Sequence, residues 1–159
     1  MNTILAQLRA DLKASADPQT QKTFQRFFKE QVKYYGVKVP TVREIAKIYW
    51  KQVKALDKKT VFALCEELYR SDYSEEAFVV ADWLPNYLDN LEPADLATFK
   101  VWIERYINNW AKCDGFCNHT IGDLIQKYPR LIVEVKSWGF SKYFVLKNNF
   151  PFSVIIFMN

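Results

Sequence analysis

The stretch Val42-Arg43-Glu44-Ile45-Ala46-Lys47-Ile48-Tyr49-Trp50-Lys51-Gln52-Val53 decides the fold class. Val42, Ile45, Ala46, Tyr49 and Val53 recur at i, i+3, i+4, i+7 and i+11, which is one apolar stripe on an α-helix. Val61, Leu64, Cys65, Leu68 and Tyr69 repeat the pattern downstream, and Ala77, Val80, Ala81, Leu84 and Leu88 follow it again. Upstream, Phe24, Phe27, Phe28 and Tyr35 extend it, and later Leu96, Phe99, Trp102, Ile103 and Tyr106 resume it. No window alternates with the period of two that a half-buried strand needs. With four glycines in 159 residues, turns are too few for a β architecture.

Breakers fall between the stripes. Asp17-Pro18 separates the first two helices, and Gly36 to Pro40 the next two. Thr41-Val-Arg-Glu44 reads as a capping box. Asp57 is placed to cap the fourth helix and Ser74 the fifth. Glu92-Pro93 is expected to open the sixth, and Tyr128-Pro129 another. Helix pairs therefore begin near residues 2, 40, 74 and 115, a spacing close to that of HEAT-type units. The expectation is an all-α, HEAT-like helical-repeat solenoid, with a compact bundle as the competing architecture.

Half of the residues are hydrophobic and a quarter are charged, which excludes a disordered chain. No run approaches the roughly 18 apolar residues of a membrane span, and the N-terminus carries no signal-peptide pattern. Three cysteines without a secretion signal suggest reduced thiols and a cytoplasmic protein. Net charge is +4, distributed as +8 over residues 1–60, −7 over 61–110 and +3 over 111–159. The basic part suits a polyanion such as DNA, and Arg26, Lys29, Lys33, Lys38, Arg43, Lys47, Lys51 and Lys54 are its components. Solvated helix faces would look the same.

Residues 107–120 break the rhythm with a polar run around Trp110 and Asp114. If that run is helical, the spacing of four puts both side chains on one face. If Asp114 caps a following helix, both sit at a helix mouth. An indole and a carboxylate together suit a substrate that develops positive charge. A core tryptophan and a structural cap would give the same residues. Cys113, Cys117 and His119 form a C-x3-C-x-H cluster, but zinc needs a fourth ligand and the chain has no second histidine. The expectation is no metal, no redox pair and no cofactor. Nucleotide loops and Ser–His–Asp arrangements are not found.

An ordered set of short elements carries a resemblance. It runs through Arg26-Phe27-Phe28-Lys29, Tyr34-Tyr35-Gly36-Val37-Lys38-Val39-Pro40 and Arg43. It continues in Trp110-Ala-Lys112-Cys-Asp114, Gly122-Asp123 and Lys127-Tyr128-Pro129. Over about residues 1–147 the chain resembles the bacterial DNA alkylation repair proteins, the AlkD-type glycosylases built from HEAT-like repeats. The resemblance implies a DNA-repair glycosylase that excises cationic N3- and N7-alkylated purines from duplex DNA without a cofactor. It implies Trp110 and Asp114 as the catalytic aromatic and carboxylate, and Phe27 as an aromatic near the lesion. Arg26, Lys29, Lys38, Arg43, Lys47 and Lys112 would contact DNA. The family's catalytic arginine would follow Leu146-Lys147, after the helix of Trp138, where this chain has Asn148; Lys142 or Lys147 would be poorer substitutes. Residues 148–159 depart from the family pattern, so the reading divides the chain into a repeat domain, 1–147, and an apolar tail, 148–159. It expects a C-terminally shortened family member whose tail promotes self-association. The alternative is a non-catalytic HEAT-like module that binds DNA or protein.

Overall fold

The structure, a computed structural model, describes residues 3–29 and 31–138. Every regular element among them is helical, and the only β feature is one isolated bridge between Lys33 and Tyr73. The all-α expectation holds. Among the described residues no helix is long and apolar enough to cross a membrane. The chain divides into two compact units, Met1–Trp83 and Leu84–Asn159. Helix pairs start at Thr3, Val39, Ser74 and Trp110, close to the expected starts.

The first unit holds α1 (Thr3–Ala14), α2 (Pro18–Gln25), α3 (Val39–Val53), α4 (Lys58–Arg70) and α5 (Ser74–Trp83). Its centre is α3 packed on α5, with α1 against α3 and α4 against α5. The stripes predicted for α3 and α4 are buried at every position, and Leu5, Leu8 and Leu12 of α1 are fully enclosed. Trp83 closes the unit, its indole donating to the Ala46 carbonyl of α3 at 2.9 Å. Asp17 caps α2 through the backbone N–H groups of Gln19 and Thr20, and Asp57 caps α4 through that of Thr60.

Several boundaries differ from the sequence reading. The Phe24–Tyr35 stripe is not one helix. After Gln25 the chain tightens through bonds from Phe27 N to Phe24 O and Phe28 N to Gln25 O, which turns Phe28 inward and leaves Phe27 66% exposed. Thr41 does not cap α3. Pro40 serves the first turn and Lys38 is the N-cap, so the helix starts three residues earlier, with no side-chain cap bond. Ser74 is the first residue of α5 rather than its cap. Its hydroxyl is buried and meets no hydrogen-bond partner among the described residues.

The segment between α2 and α3 is held by buried acids. Glu75, fully enclosed, accepts the N–H groups of Tyr35 (3.1 Å), Gly36 (2.9 Å) and Val37 (3.0 Å). Glu76, also enclosed, takes two nitrogens of Arg9 and the Tyr35 hydroxyl at 2.7 Å. Tyr34 stacks on Phe24 and Tyr35 on Tyr73. Gly36 has φ +99°, and a Cβ there would sit 2.6 Å from the Asp17 carbonyl oxygen. Gly36→Ala therefore combines left-handed strain with a backbone clash. The expected loss is about 2–4 kcal/mol in urea unfolding, and a loss below about 1 kcal/mol would show that the segment relaxes freely.

The second unit opens with a 3-10 turn, Pro85–Asn90, where proline ends α5. It continues with α6 (Asp95–Tyr106), α7 (Trp110–Gly115), a π-helical stretch Phe116–Ile121, α8 (Gly122–Lys127), a 3-10 turn Pro129–Leu131, and α9 (Ile132–Trp138). Pro93 does not start α6. The Asp95 carboxylate instead accepts the Glu92 N–H at 2.8 Å in a preceding turn. Lys127 donates its ammonium to the carbonyls of Leu88, Asp89 and Leu91 at the end of the first 3-10 turn. The expected tail, 148–159, with its self-association, and the family-arginine position at Asn148 lie outside the described residues, as do Lys142 and Lys147.

Candidate active site

From Trp110 onward the polar break at 107–120 resolves into one continuous helical run. Asn109, in extended conformation, caps α7 by accepting the Lys112 N–H at 3.0 Å. Asp114 is thus inside the helix, not its cap, so the first of the two sequence alternatives applies: Trp110 and Asp114 share one face. Trp110 is 47% exposed, and Asp114 is partly exposed. The core-tryptophan alternative fails, because a core indole would look like Trp83 or Trp102, each 1% exposed.

Packing of the adjoining stripe sets that face. Cys113, Phe116, Cys117, Thr120, Ile121 and Leu124 are buried in sequence along the run. Phe116 meets Phe99 of α6 edge to face, with centroids 5.6 Å apart, and lies near Trp102. This aromatic cluster fixes the rotation of α7 about its own axis. The π stretch begins one residue after Gly115, and such local widenings recur at functional sites.

Lys112 differs most from its sequence reading. It is 3% exposed, and its ammonium donates to the Asn108 side-chain oxygen at 3.0 Å. Two residues from both Trp110 and Asp114, it is rotated by roughly 200° from each, on the other side of the turn. The ammonium is thus directed to its own turn. Cys113 and Cys117 place their sulfurs 3.5 Å apart as free, buried thiols. The hydrogen bond with Cys117, then burial, pushes the Cys113 thiol far above its usual range. His119 is exposed, and among the described residues no three His, Cys, Asp or Glu side chains gather as a metal ion would require.

The remaining candidates lie in the first unit. Arg26, Phe27 and Lys29 occupy the exposed turn after α2, and Lys38 is the exposed N-cap of α3. Arg43, Lys47 and Lys51 follow each other at intervals of four along α3, all exposed. Arg43 reaches Asp82 of α5 at 3.8 Å. Like charges at this spacing repel by a few tenths of a kcal/mol per pair, so the ladder does not serve the helix itself.

Sequence reasoning missed Asn109 as a cap, although Asn followed by a first-turn indole was a usable signal. It had no means of finding Asn108, whose role depends on the fold of Lys112.

No individual curated protein matches the chain. Residues 8–147, which contain every one of these candidate residues, match the family described as DNA alkylation repair enzyme, and the chain belongs to that family.

Proposed function

We propose that the chain hydrolyses the glycosidic bond of cationic N3- and N7-alkylated purines in duplex DNA. The observation that carries this reading is a half-exposed indole four residues from a partly exposed carboxylate on one helix face, in a chain of the DNA alkylation repair family. A cationic purine departs with the electron pair of its glycosidic bond and becomes a neutral base. No general acid is needed. The deoxyribose is left electron-poor, and Asp114 is suited to stabilise that cation and to orient the water that adds to it. The water's oxygen bonds to the sugar carbon and its proton passes to solvent. The Trp110 π face attracts the cationic nucleotide by about 0.5–2 kcal/mol.

Arg26, Lys29, Lys38, Arg43 and Lys47 are assigned to the DNA backbone, with Phe27 as an exposed apolar contact. Lys112 is removed from that set because it is enclosed. Each phosphate contact lowers the slope of log affinity against log salt by about 0.9, so the double variant Arg43→Ala, Lys47→Ala is expected to flatten the slope by nearly two. An unchanged slope in fluorescence anisotropy titrations would take α3 out of the interface.

The test of the activity is chromatographic detection of free 7-methylguanine and 3-methyladenine from methylated duplex DNA, with unmethylated duplex as control. Release from the methylated duplex alone is the expected result. Salt-dependent binding without any released base would replace this reading with the non-catalytic one.

A further inference from the structure

We propose that Lys112 is a positioning residue, whose enclosed ammonium locks Asn108 against the first turn of α7 and thereby aims Trp110 and Asp114. The inference rests on the activity proposed above for that pair.

Two consecutive asparagines grip Lys112 at both ends. The Asn109 side-chain oxygen accepts its backbone N–H at 3.0 Å, and the Asn108 side-chain oxygen accepts its ammonium at 3.0 Å. The Asn109 amide also donates to that same Asn108 oxygen at 3.4 Å. The result is a closed ring of three side chains around the backbone of Trp110 and Ala111. A hydrogen bond from an ammonium is shorter and stronger than one between neutral groups, so the charged link is the firmest in the ring.

Local physics argues against a lysine here unless it has such a task. Lys112 is the third residue of α7, the place where a capping box would put Glu or Gln. A cation in the first turn opposes the helix dipole. At 3% exposure it also carries a desolvation cost that a surface lysine avoids. A position that breaks the capping rule, the dipole rule and the burial rule together, between the two proposed catalytic side chains, marks a functional constraint rather than helix stability.

The experiment measures single-turnover base release from duplex DNA containing 7-methylguanine, at saturating protein, alongside DNA affinity across salt. Lys112→Met is expected to slow the saturated rate about 10- to 100-fold, the scale of a misaimed catalytic group, with affinity and salt slope unchanged. Lys112→Arg, which keeps a charged donor, should stay within about threefold of wild type. Asn108→Ala should match Lys112→Met, and the double variant should lose no more than either alone. A salt slope reduced by about one with an unchanged saturated rate would make Lys112 a phosphate ligand and overturn the proposal. Additive losses would overturn it too. If the wild type releases no base, the activity fails, and the ring is judged by amide hydrogen exchange. Lys112→Met must then accelerate exchange over residues 109–115 while α3 and α5 stay protected. Unchanged exchange over 109–115 overturns the ring itself, and exchange that rises everywhere reduces Lys112 to a general structural role.

Discussion

Replacing Glu75 by leucine is expected to cost about 3–6 kcal/mol, enough to consume much of the roughly 5–15 kcal/mol that holds a typical domain folded. The side chain is fully enclosed and roughly the size of leucine, so the substitution opens no large cavity. What it removes is the acceptor for three consecutive N–H groups, those of Tyr35, Gly36 and Val37. Gly36 and Val37 are buried, and water cannot replace the lost partner without opening the segment. Each stranded donor costs about 1–3 kcal/mol, less for the partly exposed Tyr35. Glu75→Gln keeps one acceptor oxygen and should lose about half as much, although its NH2 group then faces donors. Urea unfolding of the three proteins is the measurement. A leucine variant within about 1 kcal/mol of wild type would mean that the 35–37 segment finds other partners.

The same carboxylate has a distinct pH signature. Burial raises the Glu75 pKa above its ordinary 4.5, and the three N–H groups only partly oppose it. A carboxyl that binds its proton more tightly folded than unfolded adds stability below pH 4.5 and loses that increment as pH rises through the folded value. Asp17 and Asp57 act in the opposite sense. The hydrogen bonds to Thr20 and Thr60 hold their carboxyls below the ordinary 3.8, so their contribution is present above that value and disappears as pH falls through the folded one. The two windows do not overlap. The stability difference between wild type and Glu75→Gln should therefore shrink as pH rises above 4.5. An increase over that range would show that the N–H cradle outweighs burial.

How far these features could be read from sequence depended on whether they were periodic. The stripes of α3 and α4 are local geometry, and all ten of their predicted apolar positions are buried. The Phe24–Tyr35 stripe failed because aromatic spacing alone does not register where a helix unwinds, and the unwinding after Gln25 is what separates an inward Phe28 from an outward Phe27. Thr41 was misplaced because Pro40 fits the first turn of a helix, which moves the cap three residues back to Lys38. Glu75 and Glu76 look in sequence like the acidic first turn of any exposed helix. Only the return of residues 34–37 makes them the interior acceptors of the first unit. The same applies to the short elements that first suggested the family. Tyr34, Tyr35 and Gly36 brace a loop, and Lys127 closes a 3-10 turn, so much of that resemblance is carried by residues that hold backbone rather than by residues that face a substrate.

Trp110 and Asp114 are where activity and stability should separate most. Asp114→Asn preserves shape and removes a charge, and loss of one preorganised electrostatic group at a developing cation is expected to slow base release about 10²- to 10³-fold. Trp110→Ala removes a cation–π attraction of about 0.5–2 kcal/mol, or roughly 2- to 30-fold in rate. Neither change should move the unfolding midpoint far, because the indole is half in solvent and the carboxylate partly so. Trp83→Ala and Trp102→Ala are the contrasting controls. Both indoles are enclosed, and truncating either should cost about 3–5 kcal/mol. Asp114→Asn that leaves release intact would remove the carboxylate from the reaction. Trp110→Ala that unfolds the chain as readily as Trp102→Ala would return that indole to the core. An exposed tryptophan that governs rate beside enclosed ones that govern stability would divide one residue type between two tasks, the division that the proposed catalytic face requires.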